Sequence, residues 1–127
     1  MHENQLYEYA VIRVVPKVER EEFVNVGVVL FCKKARYIRV MQRTDASKIR
    51  AFCDTVDLDQ IQQNLEAFEK IAAGDPSAGP IALMDVPSRF RWLTAVRSSM
   101  IQTSRPHPGL CTDMDHTLQR LFDDMVG

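Results

Sequence analysis

Apolar residues recur with two different periods in this chain, about two in its first third and three to four over most of the rest. Tyr7 to Val15 is dense in β-branched and aromatic residues and stops at Pro16, which has no N–H for a ladder; this predicts a strand. Val24 to Cys32 predicts a second strand. Its even positions (Val24, Val26, Val28, Leu30, Cys32) are all apolar, so that face is expected to be core. Gly27, in mid-strand, marks a bulge or the close approach of another backbone or large side chain. Lys33 to Arg36 is a short charged turn, and Tyr37 to Arg43 a third strand joined to the second as a hairpin. Lys17 to Phe23, acidic at Glu19, Glu21 and Glu22, reads as a solvated turn with some helical character.

Helical spacing follows. Asp45 can cap a short helix carrying Ile49, Phe52 and Cys53. Asp57 and Gln60 stand at capping-box spacing before Leu58, Ile61, Leu65, Phe68, Ile71 and Ala72, which share one helical face. Gly74 stands where a left-handed cap belongs, and Asp75 to Pro80 reads as a loop. Pro87 opens a short helix through Arg89–Leu93, and Ser99 to Ser104 is expected as a fourth strand. Arg105 to Gly109 reads as a loop stiffened by two prolines. A final amphipathic helix runs from a Thr112 or Asp113 cap through Leu118, Leu121, Phe122, Met125 and Val126. No repeat or linker interrupts the pattern. The expected fold is one α+β domain over residues 1–127, a small, mostly antiparallel sheet of about four strands packed against amphipathic helices. The β-rich start could offer an edge to a partner or a second copy, and a homodimer is the commonest assembly for such a chain.

Composition narrows the compartment and the partners. An apolar share of 46% with 26% charged residues fits a folded globular chain. The net charge of −1 supplies no whole-molecule field to hold nucleic acid, which argues against that partner. The polar start, carrying Glu3, does not resemble an export signal, and the longest apolar run, Val26 to Cys32, is too short to span a bilayer. Cys32, Cys53 and Cys111 are odd in number and widely spaced, so reduced thiols in the cytoplasm are expected, with no membrane association.

Candidate chemistry concentrates late in the chain. No phosphate-binding loop, dinucleotide fingerprint, paired CxxC, HExxH or nucleophile elbow is present, and no cofactor is implied. Val86 to Leu110, however, holds Arg89, Arg91, Arg97 and Arg105 and no acid, a local charge of +4 against −5 for the remainder. Guanidinium forks beside the hydroxyls of Ser88, Thr94, Ser98, Ser99, Thr103 and Ser104 suit a phosphate or carboxylate. Trp92 is a candidate stacking face or interface anchor, and His107 a candidate acid or base. The bland reading is a solvated face paired with acids elsewhere. Arg13 lies inside a strand, either aimed at an anion or on the wet face of an edge strand. His107, Cys111, Asp113 and His116 offer metal-ligand types at a spacing that matches no standard site; none is assigned. Two functions follow. One is a non-catalytic regulatory or binding module. The other is a small enzyme or ligand-binding protein acting on a phosphorylated or nucleotide substrate, with Arg13, Arg89, Arg91 and Arg105 as anion clamps and His107 as acid/base.

Three stretches carry a family resemblance: Val14-Val15-Pro16 followed by Glu19 to Phe31, then Arg89-Phe90-Arg91-Trp92-Leu93, then Ile101 to Leu110. In this order, and over nearly the whole chain, they resemble the bacterial domain-of-unknown-function 3037 family. The resemblance carries no assigned catalytic residues over to this chain. It implies a partner, since members are often encoded beside HipA-like serine/threonine kinases, and hence a small accessory or regulatory protein.

Overall fold

The computed structural model describes residues 3–15, 22–53, 55–95 and 100–127; the side chain of Phe52 lies outside that description. Most of the expected turn at residues 17–23 lies outside it too, as do Arg97, Ser98 and Ser99. Strands β1 (Gln5–Val14), β2 (Val24–Cys32) and β3 (Tyr37–Gln42) form an antiparallel meander. Helices α1 (Ala46–Phe52), α2 (Leu58–Ala73) and α3 (Val86–Leu93) follow, with two 3₁₀ turns at Pro76–Ala78 and Pro80–Leu83. Then come β4 (Ile101–Thr103), β5 (His107–Cys111) and α4 (Met114–Met125). The fold is α+β, with five strands among the described residues.

Both β4 and β5 pair with β1, side by side along the edge that β2 leaves free. This corrects two expectations. The stretch from Arg105 to Gly109 is only in part a loop, because His107 opens a strand whose one proline, Pro108, needs no donor at the rim of the sheet. Nor is β1 an edge: the C-terminal third returns to cover it, so Arg13 lies in the middle of the sheet.

Gly27 meets both of its predicted roles. Ile12 pairs with Gly27 and Arg13 with Asn25, which leaves Val26 as the extra residue of a β-bulge. The bulge switches which parity of β2 faces which side, so the even-position reading holds for only part of the strand. Val24, Val26, Val29 and Phe31 join one core cluster; Val28, Leu30 and Cys32 join another. The first cluster packs Ile49 of α1, Ile61, Leu65, Phe68 and Ile71 of α2, and Phe90 and Leu93 of α3 against Ala10, Ile12 and Val14. On the other face Leu118, Leu121 and Phe122 of α4 cover Tyr7 and the second set from β2. A strand buried on both faces explains a run nearly apolar throughout.

Most caps are where the sequence places them, and Asp85 adds one that the sequence reading did not name. Asp45, Asp57, Asp85 and Asp113 each accept backbone N–H bonds at the start of their helices, and Gly74 ends α2 at φ 73°. The start of α4 is fastened to β3: the Tyr37 hydroxyl and Arg39 Nη1 both donate to Asp115 Oδ1, at 2.7 and 2.9 Å. Burial and that bond push the Tyr37 hydroxyl well above its usual pKa, while the same bond holds the Asp115 carboxyl below the usual range. Among the described residues, no helix is long and apolar enough to cross a membrane.

Between β4 and β5 the ladder is carried by a side chain. The Ser104 N–H donates to the Val11 carbonyl (2.8 Å), and the Ser104 hydroxyl accepts from the Val11 N–H (2.9 Å) while donating to the Arg105 carbonyl (3.0 Å). Ser104 is buried. Ser104→Ala should therefore leave the Val11 N–H without a partner and lose about 1–3 kcal/mol in a urea titration. A loss below a few tenths would mean that the site finds another acceptor.

Candidate functional site

The candidate arginines do not meet around one cavity. Arg91 forms a two-point pair with Glu8 of β1, Nη2 to Oε2 at 2.9 Å and Nη1 to Oε1 at 3.3 Å, its guanidinium lying 5.6 Å from the Phe90 ring centroid. Arg89 reaches the C-terminal end of α2 and donates from Nη1 to the Ala72 carbonyl at 3.2 Å. Its guanidinium fills the space beside Gly74, where a Cβ would collide with it. That is a helix-end cap of the kind a cation makes well.

On the sheet's other face, Arg13 lies 4.2 Å from the Phe23 ring centroid and pairs across strands with Asn25 and Gln102. Arg105 is exposed in the interruption between β4 and β5. His107 is exposed opposite Tyr9, with ring centroids 5.4 Å apart. Alternation along β1 puts Tyr9 and Arg13 on the side facing α4, away from Arg89 and Arg91. Trp92 lines a separate cavity of about 290 Å³ with Phe68, Ile71, Leu93 and Ile101. Among the described residues no group of three or more His, Cys, Asp or Glu could hold a metal; Asp113 caps α4 through the His116 N–H, and the Cys111 thiol lies 3.5 Å from Met114 Sδ.

What the fold does assemble is a groove on the α3 side of the sheet. Asp85 caps α3 through the Ser88 N–H and Pro87 sits in its first turn, so the helix starts beside the end of β2. One cavity of about 390 Å³ there is lined by Leu6, Glu8, Phe31, Lys33, Pro87 and Arg91. A second, of about 470 Å³, is lined by Lys33, Arg36, Asp85, Val86, Pro87 and Arg89. They share Lys33 and Pro87 and so run together. At one end Leu6 and its cross-strand partner Leu110 are 63% and 65% exposed, unusual for leucines side by side on a sheet face. Leu83 and Met84, just before Asp85, are exposed as well.

Sequence reading missed Lys33 and Arg36, which passed as a charged turn. Arg36 has φ 52°, a left-handed conformation that costs an L side chain roughly 1–2 kcal/mol and that glycine takes freely. A non-glycine at the left-handed position of a four-residue hairpin loop was the available signal. Leu6, an exposed leucine at the β1 start, gave none.

The chain belongs to the family described as protein of unknown function DUF3037, whose family model matches residues 9–126, nearly the whole length. No curated protein and no solved structure matches it.

Proposed function

We propose that this member of the family is a non-catalytic binding or regulatory module, and that its partner is a serine/threonine kinase of the HipA-like class. The observation that carries this reading is the fate of the cations. Arg91 is neutralised by Glu8, Arg89 caps α2, Arg13 lies against Phe23, and His107 faces the other side of the sheet. A catalytic acid or base needs its anion clamps within hydrogen-bond reach of one substrate, and these groups are held apart. The open groove beside α3, with leucines exposed at its end, supports recognition of another chain instead.

The test is co-purification. The tagged full-length chain, expressed at its natural level in its own cells and captured under gentle salt, should bring down a kinase in near-stoichiometric amount, identified by mass spectrometry. Capture that recovers no protein partner would overturn the reading.

A further inference from the structure

Resting on that reading, we propose that the groove beside α3 takes a peptide segment of the partner in which acidic residues stand next to apolar ones. The acids would lie over Lys33 and Arg36, and the apolar side chains over Leu6 and Leu110. Four observations lead there.

First, the groove's own acids are spent. Glu8 accepts both donors of Arg91, and Asp85 accepts the Ser88 N–H at the start of α3. Hydrogen bonding to Ser88, with the fields of Arg89 and Lys33, holds the Asp85 carboxyl below its usual range, so it stays ionised and engaged. Second, the side chains of Lys33 and Arg36 make no hydrogen bond or close ion pair among the described residues, Lys33 acting on Asp85 only through its field, although the adjacent Lys34 pairs with Glu3 and Arg39 with Asp115. Charge complementarity therefore asks for anions from outside. Third, Arg36 occupies a strained left-handed position, so the backbone holds a guanidinium there at a cost that glycine would avoid. Fourth, Leu6 and Leu110 continue the same face without cover, and apolar contact there would remove water from about half of each side chain.

An anionic bilayer could be drawn to the same charges. A recess between a helix and a sheet fits it poorly, because a membrane surface is flat and cluster-type lipid recognition uses four or more cations on a projecting face. A peptide segment, narrow enough to enter the recess, fits better.

The experiment uses the folded full-length chain as bait for a display library of random twelve-residue peptides, followed by fluorescence anisotropy of the enriched sequences. Enriched peptides should carry Asp or Glu within a few positions of Leu, Ile or Phe. Lys33→Glu with Arg36→Glu should raise Kd about tenfold or more and flatten its dependence on salt between 0.1 and 0.5 M. Leu6→Asp should raise Kd while leaving the salt dependence in place. All of these residues are exposed or at the groove rim, and unchanged thermal unfolding keeps a folding defect from passing as a result.

Peptides of neutral or basic character, no enrichment, or binding indifferent to both variants would overturn the proposal. Binding to vesicles containing 30% phosphatidylserine, lost in the charge variants while no peptide binds, would overturn it in favour of a lipid surface. A kinase captured equally well by wild type and both variants would sink the groove assignment and leave the binding-module reading standing.

Discussion

Phe90→Ala is expected to destabilise the protein by about 3–5 kcal/mol, a fall in Tm of roughly 10–20 °C for a chain of this size. Phe90 is fully buried, and its ring stacks on Phe31 of β2 with centroids 4.7 Å apart and an interplanar angle of 23°. It is the main contact pinning α3 to the sheet, because Leu93 is the only other buried residue of that helix. Truncation removes the transfer free energy of a benzyl group and leaves a cavity that the flanking strands are too well packed to close. Phe90→Leu should recover more than half of the loss. Hydrogen exchange gives a second readout: a loosened α3 should let its own last-turn amides, such as the Thr94 N–H bonded to the Phe90 carbonyl, exchange before global unfolding. Calorimetry with hydrogen exchange checks both. A loss under about 1.5 kcal/mol would mean that α3 is held mainly by its polar contacts.

Gly27→Val is expected to be nearly as damaging, about 3 kcal/mol, the upper end of the usual overpacking range. The reason is space, since the Gly27 φ lies outside the left-handed region. A Cβ there would sit 2.7 Å from the Met41 carbonyl oxygen and 3.0 Å from Gln42 Cβ. The first is backbone and cannot swing aside, so β3 has to move away from β2 at the bulge. Because Arg43 donates to the Val26 carbonyl at 2.7 Å just there, that bond should be lost with it. Gly27→Ala should show most of the effect, as the first carbon makes the collision. Equilibrium unfolding of both variants tests this; an alanine variant within 0.5 kcal/mol of wild type would show that β3 yields easily.

Legibility in the sequence followed the range of the interactions. The caps at Asp45, Asp57 and Gly74 were readable because a cap is decided within four residues. The bulge at Gly27 was readable in kind, though its effect on the parity of β2 was not, since that depends on the partner strand. The placement of β5 was hidden by Pro106 and Pro108, whose extended backbone serves a loop and an edge strand equally. The arginine-rich segment was legible as unusual composition, but its use was not. Whether Arg91 meets a substrate or Glu8 depends on a strand 83 residues away. The groove, built from both termini of the β2–β3 hairpin loop and the start of α3, is a tertiary property throughout.

The broken strand pair at the sheet's outer rim bears on what the protein avoids. A proline is tolerated in a strand where its missing N–H would have pointed to solvent, and Pro108 is the second residue of β5. Another extended chain approaching that side would find a donor missing and, beyond Ser104, a change of register. Such interruptions are how sheets resist lateral growth into aggregates. The molecule can thus leave two leucines exposed across its face while denying a zipper along this rim.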